Sequence, residues 1–98
     1  MITEISLASR PIGNPAYAMR EAEEGWTTLV NLDTAAGVAL NETGFLLWQK
    51  IDGERTVAEI IGEIKGYFAD APPTVAEDML AVLETLHDAG LICFEVKI

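Results

Sequence analysis

Basic residues are scarce in this chain: six Lys and Arg stand against sixteen Asp and Glu, a formal net charge of −10 over 98 residues. Binding to DNA, RNA or an anionic membrane depends on attraction to negative groups. The bases present, Arg10, Arg20, Lys50, Arg55, Lys65 and Lys97, are scattered singly and form no stripe. Nucleic acid and membrane are therefore not expected as partners, and a neutral or basic partner is. Cysteine is reduced to Cys93, so no internal disulfide can form, and its apolar surroundings predict a buried, inert thiol. Histidine is reduced to His87. A Cys–His pair is conceivable in number, but no third group is at hand to orient it, and a surface histidine near a helix C-terminus accounts for His87. The densest acidic pairs are Glu23-Glu24 and Glu77-Asp78, and the second is explained by the start of a helix. Neither G-x-G-x-x-G nor a Walker loop occurs. No catalytic residue, metal site or cofactor is expected. The start, Met1 to Ile5, lacks the basic and apolar regions of a secretion signal, and no apolar run reaches membrane length. The cytoplasm is the expected compartment.

Half of the residues are apolar, enough for one domain to bury a core despite the charge. Pro11, Gly13 and Pro15 punctuate residues 1–15, which read as an irregular arm whose Ile2, Ile5 and Leu7 dock on the body or in a neighbour's groove. Residues 16–98 form the domain. Three short strands are predicted at Tyr17 to Glu21, Trp26 to Leu32 and Gly37 to Leu40, with turns between them. In the second, Trp26, Thr28, Val30 and Leu32 share one face and Thr27, Leu29 and Asn31 the other, as in a sheet with one buried side.

Helical spacing then takes over. Asn41 is a suitable N-cap for a first helix over 42–51 that carries Phe45, Trp48 and Ile51. Thr56 and Glu59 form a capping box ahead of Val57, Ile60, Ile61, Ile64 and Phe68, in a second helix ending near Ala69. Pro72-Pro73 interrupts, and Thr74 with Glu77 supplies another capping box before Val75, Met79, Val82, Leu83 and Leu86. Gly90 is placed to end this third helix in the left-handed conformation, and Leu91 to Ile98 alternate as a last strand. The fold class is α+β and winged-helix-like: three short antiparallel strands, three helices, then a short C-terminal strand. A winged-helix transcription regulator is the alternative this layout raises. Against it, Thr74 to Ala89 contains Glu77, Asp78, Glu84 and Asp88 and no Lys or Arg, and phosphate would repel such a helix.

The segment Leu40-Asn41-Glu42-Thr43-Gly44, Trp48, and Ile51-Asp52-Gly53-Glu54-Arg55-Thr56-Val57-Ala58-Glu59-Ile60 closely resembles the PqqD family. So does the finish, Leu86 followed by Ala89-Gly90-Leu91-Ile92. The resemblance spans roughly residues 37 to 92. It implies a non-catalytic peptide chaperone that binds the leader of a ribosomally made precursor and presents it to a radical S-adenosylmethionine enzyme, as in the making of pyrroloquinoline quinone. It further implies that the leader adds as a strand at Gly37, Val38, Ala39 and Leu40, with side chains entering a cleft against helix three. The residues themselves agree, since a short strand there offers unpaired backbone groups; a plain connector into the first helix is the other reading. On helix three, Val75, Met79, Val82 and Leu86 divide between core and groove, and Asp78 is the candidate polar contact for a basic leader residue. Monomer and homodimer are both compatible with the sequence.

Overall fold

The computed structural model describes residues 5–67 and 73–94. Three strands, β2 (Tyr17–Glu21), β3 (Thr27–Asn31) and β4 (Gly37–Leu40), form an antiparallel sheet in the order β2-β3-β4. Three helices follow, α1 (Glu42–Lys50), α2 (Val57–Gly66) and α3 (Val75–Asp88), and pack on one face of that sheet. The remaining pair is β1 (Pro11–Gly13) with β5 (Ile92–Phe94), also antiparallel. The expected end of α2 near Ala69, Phe68 on its stripe, Pro72, Ile2 and the tail residues 95–98 lie outside the described residues.

The strand alternation decides which face is buried. Leu29, Val38 and Leu40 are sealed against Leu47 of α1, Ile60, Ile61 and Ile64 of α2, and Met79, Leu83 and Leu86 of α3. Thr27 and Asn31 share this inner face, whereas Trp26 and Leu32, at the ends of the opposite face, are exposed. Asn31 stays satisfied while buried: its Nδ2 donates to the Ala89 and Gly90 carbonyls at 2.9 and 3.3 Å, and its Oδ1 accepts from Asp33 N at 2.9 Å. One side chain thus ties the end of β3 to the end of α3.

Residues 5–15 lie against the body, and part of that stretch is regular. Pro11–Gly13 pairs with β5, a strand that the proline and glycine punctuation had masked. Pro11 can open such a strand because it has no N–H to satisfy. Farther along the arm, Leu7 and Ser9 carbonyls accept from Ala58 and Val57, and Pro11 O accepts from Gly53 N.

The Asp52 to Thr56 turn, the most distinctive stretch of the sequence, is occupied with its own geometry. The Asp52 carboxylate accepts from Glu54 N and Arg55 N at 2.9 and 2.8 Å. Gly53 sits at φ +79°, where a side chain would be strained. Arg55 then reaches Asp52 at 2.7 Å and Glu63 of α2 at 2.9 Å. Thr56 and Glu59 complete the expected capping box. The Arg55 and Glu54 amides hold Asp52 below its ordinary 3.8, and the Thr56 amide and hydroxyl hold Glu59 below its ordinary 4.5.

The second expected capping box does not form. Thr74 has ψ 0° instead of the extended conformation of an N-cap, so its hydroxyl caps no backbone N–H and lies 3.4 Å from the Asp78 carboxylate. Gly90 does end α3 with φ +72°. Cys93 is exposed, which corrects the expectation of a buried thiol: alternation in β5 turns Ile92 inward and Cys93 outward.

Candidate functional site

Strand β4 is paired on one side only among the described residues. Its register sets Thr27 opposite Leu40, Leu29 opposite Val38 and Val30 opposite Gly37. Asn31 N donates to Ala36 O at 2.8 Å, so Asn31 and Ala36 are a hydrogen-bonded pair. Hydrogen-bonded pairs alternate along an antiparallel ladder. Val38 and Leu40 therefore spend their N–H and C=O groups on β3, while those of Gly37 and Ala39 point to the free edge. The same alternation drives the Val38 and Leu40 side chains into the core and leaves Gly37 and Ala39 exposed. Of the four sequence-predicted strand residues, two supply edge backbone and two supply core.

Helix α3 sorts its candidates the same way. Val75, Met79 and Leu86 are buried in the shared core, Val82 is half-buried beside it, and Asp78 is exposed. At about 100° per residue, Asp78, Val82 and Thr85 fall on one flank and His87 on the other. The His87 ring stacks on Phe94 at 5.5 Å, so β5 occupies the His87 flank and leaves the Asp78–Val82 flank to other contacts. Over its whole length α3 carries Glu77, Asp78, Glu84 and Asp88, with His87 as the lone basic side chain in its last turn.

The Cys–His pair is not assembled. Phe94 meets His87, and Cys93, its neighbour on β5, points from the opposite face of the strand. Among the described residues no three His, Cys, Asp or Glu side chains converge on a common point, and no helix is long and apolar enough to cross a membrane.

The other edge of the sheet is open as well among the described residues. A cleft of about 610 Å³ opens beneath β2, walled by Tyr17 and Met19, by Phe45, Trp48 and Ile51, and by Ile12 of β1. The signal was there: Tyr17 and Met19 alternate with Ala18 and Arg20 in a strand bearing no inward-facing branched aliphatic residue.

A three-stranded sheet with one apolar face on three helices and backbone edges open among the described residues defines a small α+β module of winged-helix type. Residues 27–92 match the family model of coenzyme PQQ synthesis protein D (PqqD), and the chain belongs to that family. Its fold is also similar to that in the solved structure of TbiB1 in complex with the TbiA(beta) leader peptide. The TM-score is 0.65 at 21% identity, over 89% of this chain and 98% of that one. No curated protein matches the chain in sequence.

Proposed function

We propose that this protein is a non-catalytic adaptor that captures the leader of a ribosomally made precursor peptide at the β4 edge. The observation that carries the reading is the open pair of backbone stations at Gly37 and Ala39, two donors and two acceptors aimed away from β3. An extended peptide satisfies them by strand addition, and alternate side chains give specificity where they meet neighbouring pockets. Val82 offers apolar surface for such a side chain, and Asp78 offers a carboxylate to a basic one. Val38, Leu40, Val75, Met79 and Leu86 are buried in the shared core. Membership of the PqqD family and the likeness to a leader-bound fold support this choice over regulation of transcription, which an α3 without Lys or Arg also disfavours.

The bound precursor is presented to a modifying enzyme, in this family's chemistry a radical S-adenosylmethionine protein, and the setting is the cytoplasm. The pathway is that of pyrroloquinoline quinone or of another modified peptide. Burial of about 400 Å² of apolar surface at about 25 cal/mol per Å² is worth about 10 kcal/mol gross. Ordering a flexible peptide consumes much of that, which sets affinity at about micromolar or moderately tighter. A carrier that must release its cargo operates in that range.

Titration of the labelled protein with the leader of its cognate precursor tests the proposal. Backbone amide shifts should concentrate at Gly37 to Leu40 and along α3. Saturating leader without shifts there contradicts it.

A further inference from the structure

The sheet has a second open edge, and it carries its own cleft. Leu32 N donates to Ala16 O at 3.0 Å and Ala22 N to Trp26 O at 2.8 Å, which makes the even-numbered residues of β2 the ones bonded to β3. The N–H and C=O groups of Tyr17, Met19 and Glu21 therefore point outward, and β2 has no second partner strand among the described residues. On the inner face of the sheet, Thr27, Leu29 and Asn31 of β3 are buried, yet Tyr17 and Met19 opposite Asn31 and Leu29 remain 38% and 48% exposed. The helical layer stops short of β2 and leaves the 610 Å³ cleft between them. The cleft wall is held in place, with the Tyr17 ring edge-on to Trp48 at 5.1 Å and 80°.

Charge selects the occupant. Glu21 ends the strand, Glu23 and Glu24 follow it, and the Glu42 carboxylate lies against Gly25. None of these four is ion-paired among the described residues. A second copy of this chain would bring the same carboxylates and another net −10 to the contact, a poor match. Glu21 shares the inner face with Tyr17 and Met19, so the matching segment carries apolar residues and one basic residue on a single face, at every second position: its backbone meets Tyr17, Met19 and Glu21, its apolar side chains enter the cleft against Trp48 and Phe45, and its Lys or Arg meets Glu21 at the end of the strand.

We infer that the β2 edge is a second docking site, for an extended apolar and basic segment of a partner protein other than the leader. Strand β3 lies between the two edges, and adjacent strands are about 4.8 Å apart, so both edges can be filled at once. The protein then bridges two chains across one sheet. The bridging rests on β4 being the leader's edge; the site at β2 does not.

A synthetic peptide with serine at every second position and lysine, valine and valine in turn at the positions between, the order an antiparallel strand needs, is the probe, with a glutamate-for-lysine peptide as control, added to the full chain while backbone amides and the Trp48 indole are observed. The lysine peptide should shift Tyr17, Met19, Glu21 and Trp48, and the control should not. Glu21→Lys should weaken the lysine peptide about fivefold, a loss on the scale of an exposed ion pair or two, and leave the leader titration at Gly37 and Ala39 unchanged. Shifts confined to β4, no shifts, or concentration-dependent protection of β2 amides without peptide, the mark of a second copy, each overturn the inference. A leader that fails at β4 while the lysine peptide still shifts β2 removes the proposed leader site and leaves this one standing.

Discussion

Asn31 is the residue on which sheet and helices are joined, and its neighbour in space explains a glycine. A Cβ on Gly90 would stand 2.7 Å from Asn31 Nδ2, and φ at Gly90 is +72°. Gly90→Ala is therefore expected to lose at least about 1–2 kcal/mol, the cost of left-handed backbone for an L-residue, with the close contact adding to it. Asn31→Ala leaves the Ala89 and Gly90 carbonyls and the Asp33 amide without their partner and should lose about 1–3 kcal/mol. Urea unfolding of both variants checks these values. Gly90 was legible in the sequence because a helix end calls for it. Asn31 was not, because its partners lie 58 and 59 residues away and nothing local announces them. The exposure of Cys93 was illegible for a related reason: apolar neighbours say that a strand is near the core, but its register says which residues face it.

Among the elements, α1 and α2 both start at the caps that the sequence marks, Asn41 and Thr56, and α2 adds a reciprocal bond. Thr56 accepts from Glu59 N at 3.1 Å and Glu59 accepts in return from Thr56 N at 3.1 Å. Thr56→Ala should lower stability by about 1 kcal/mol in urea unfolding. Glu59 and Asp52 both have folded-state pKa values below their ordinary 4.5 and 3.8. Their contribution is therefore fully present above those ordinary values and lost as pH falls through the depressed folded ones. Urea midpoints should fall in that acid window, and Thr56→Ala should flatten the Glu59 part of the fall. The same four-residue pattern at Thr74 and Glu77 forms no box, because the pattern specifies residue types and the cap also needs an extended backbone at its first position. For β4, Ala39→Pro removes one outward N–H and no bond to β3. It should weaken leader binding by about fivefold, the worth of one net hydrogen bond, with a much smaller change in unfolding midpoint. Isothermal titration beside urea unfolding separates the two.

At the level of the whole molecule, the order of elements was legible because each relies on a local signal: alternation for the strands, capping residues and helical spacing for the helices. The pairing of β1 with β5 was not, since Pro11 and Gly13 read as breakers and their partners Phe94 and Ile92 lie at the far end of the chain. The candidate site was half legible. The β4 segment could be picked out from its composition and its likeness to the PqqD pattern, but only the ladder register separates Gly37 and Ala39, which face the edge, from Val38 and Leu40, which face the core. The cleft under β2 escaped because it is made by a helical layer that ends early, a property of packing and not of any one segment. Amide hydrogen exchange measured across β4, with and without leader, tests the central claim most directly. Without leader, Val38 and Leu40 should exchange slowly and Gly37 and Ala39 rapidly; with leader, Gly37 and Ala39 should slow to match. Gly37 and Ala39 already protected in the free protein, or still fast when leader is bound, would contradict the account.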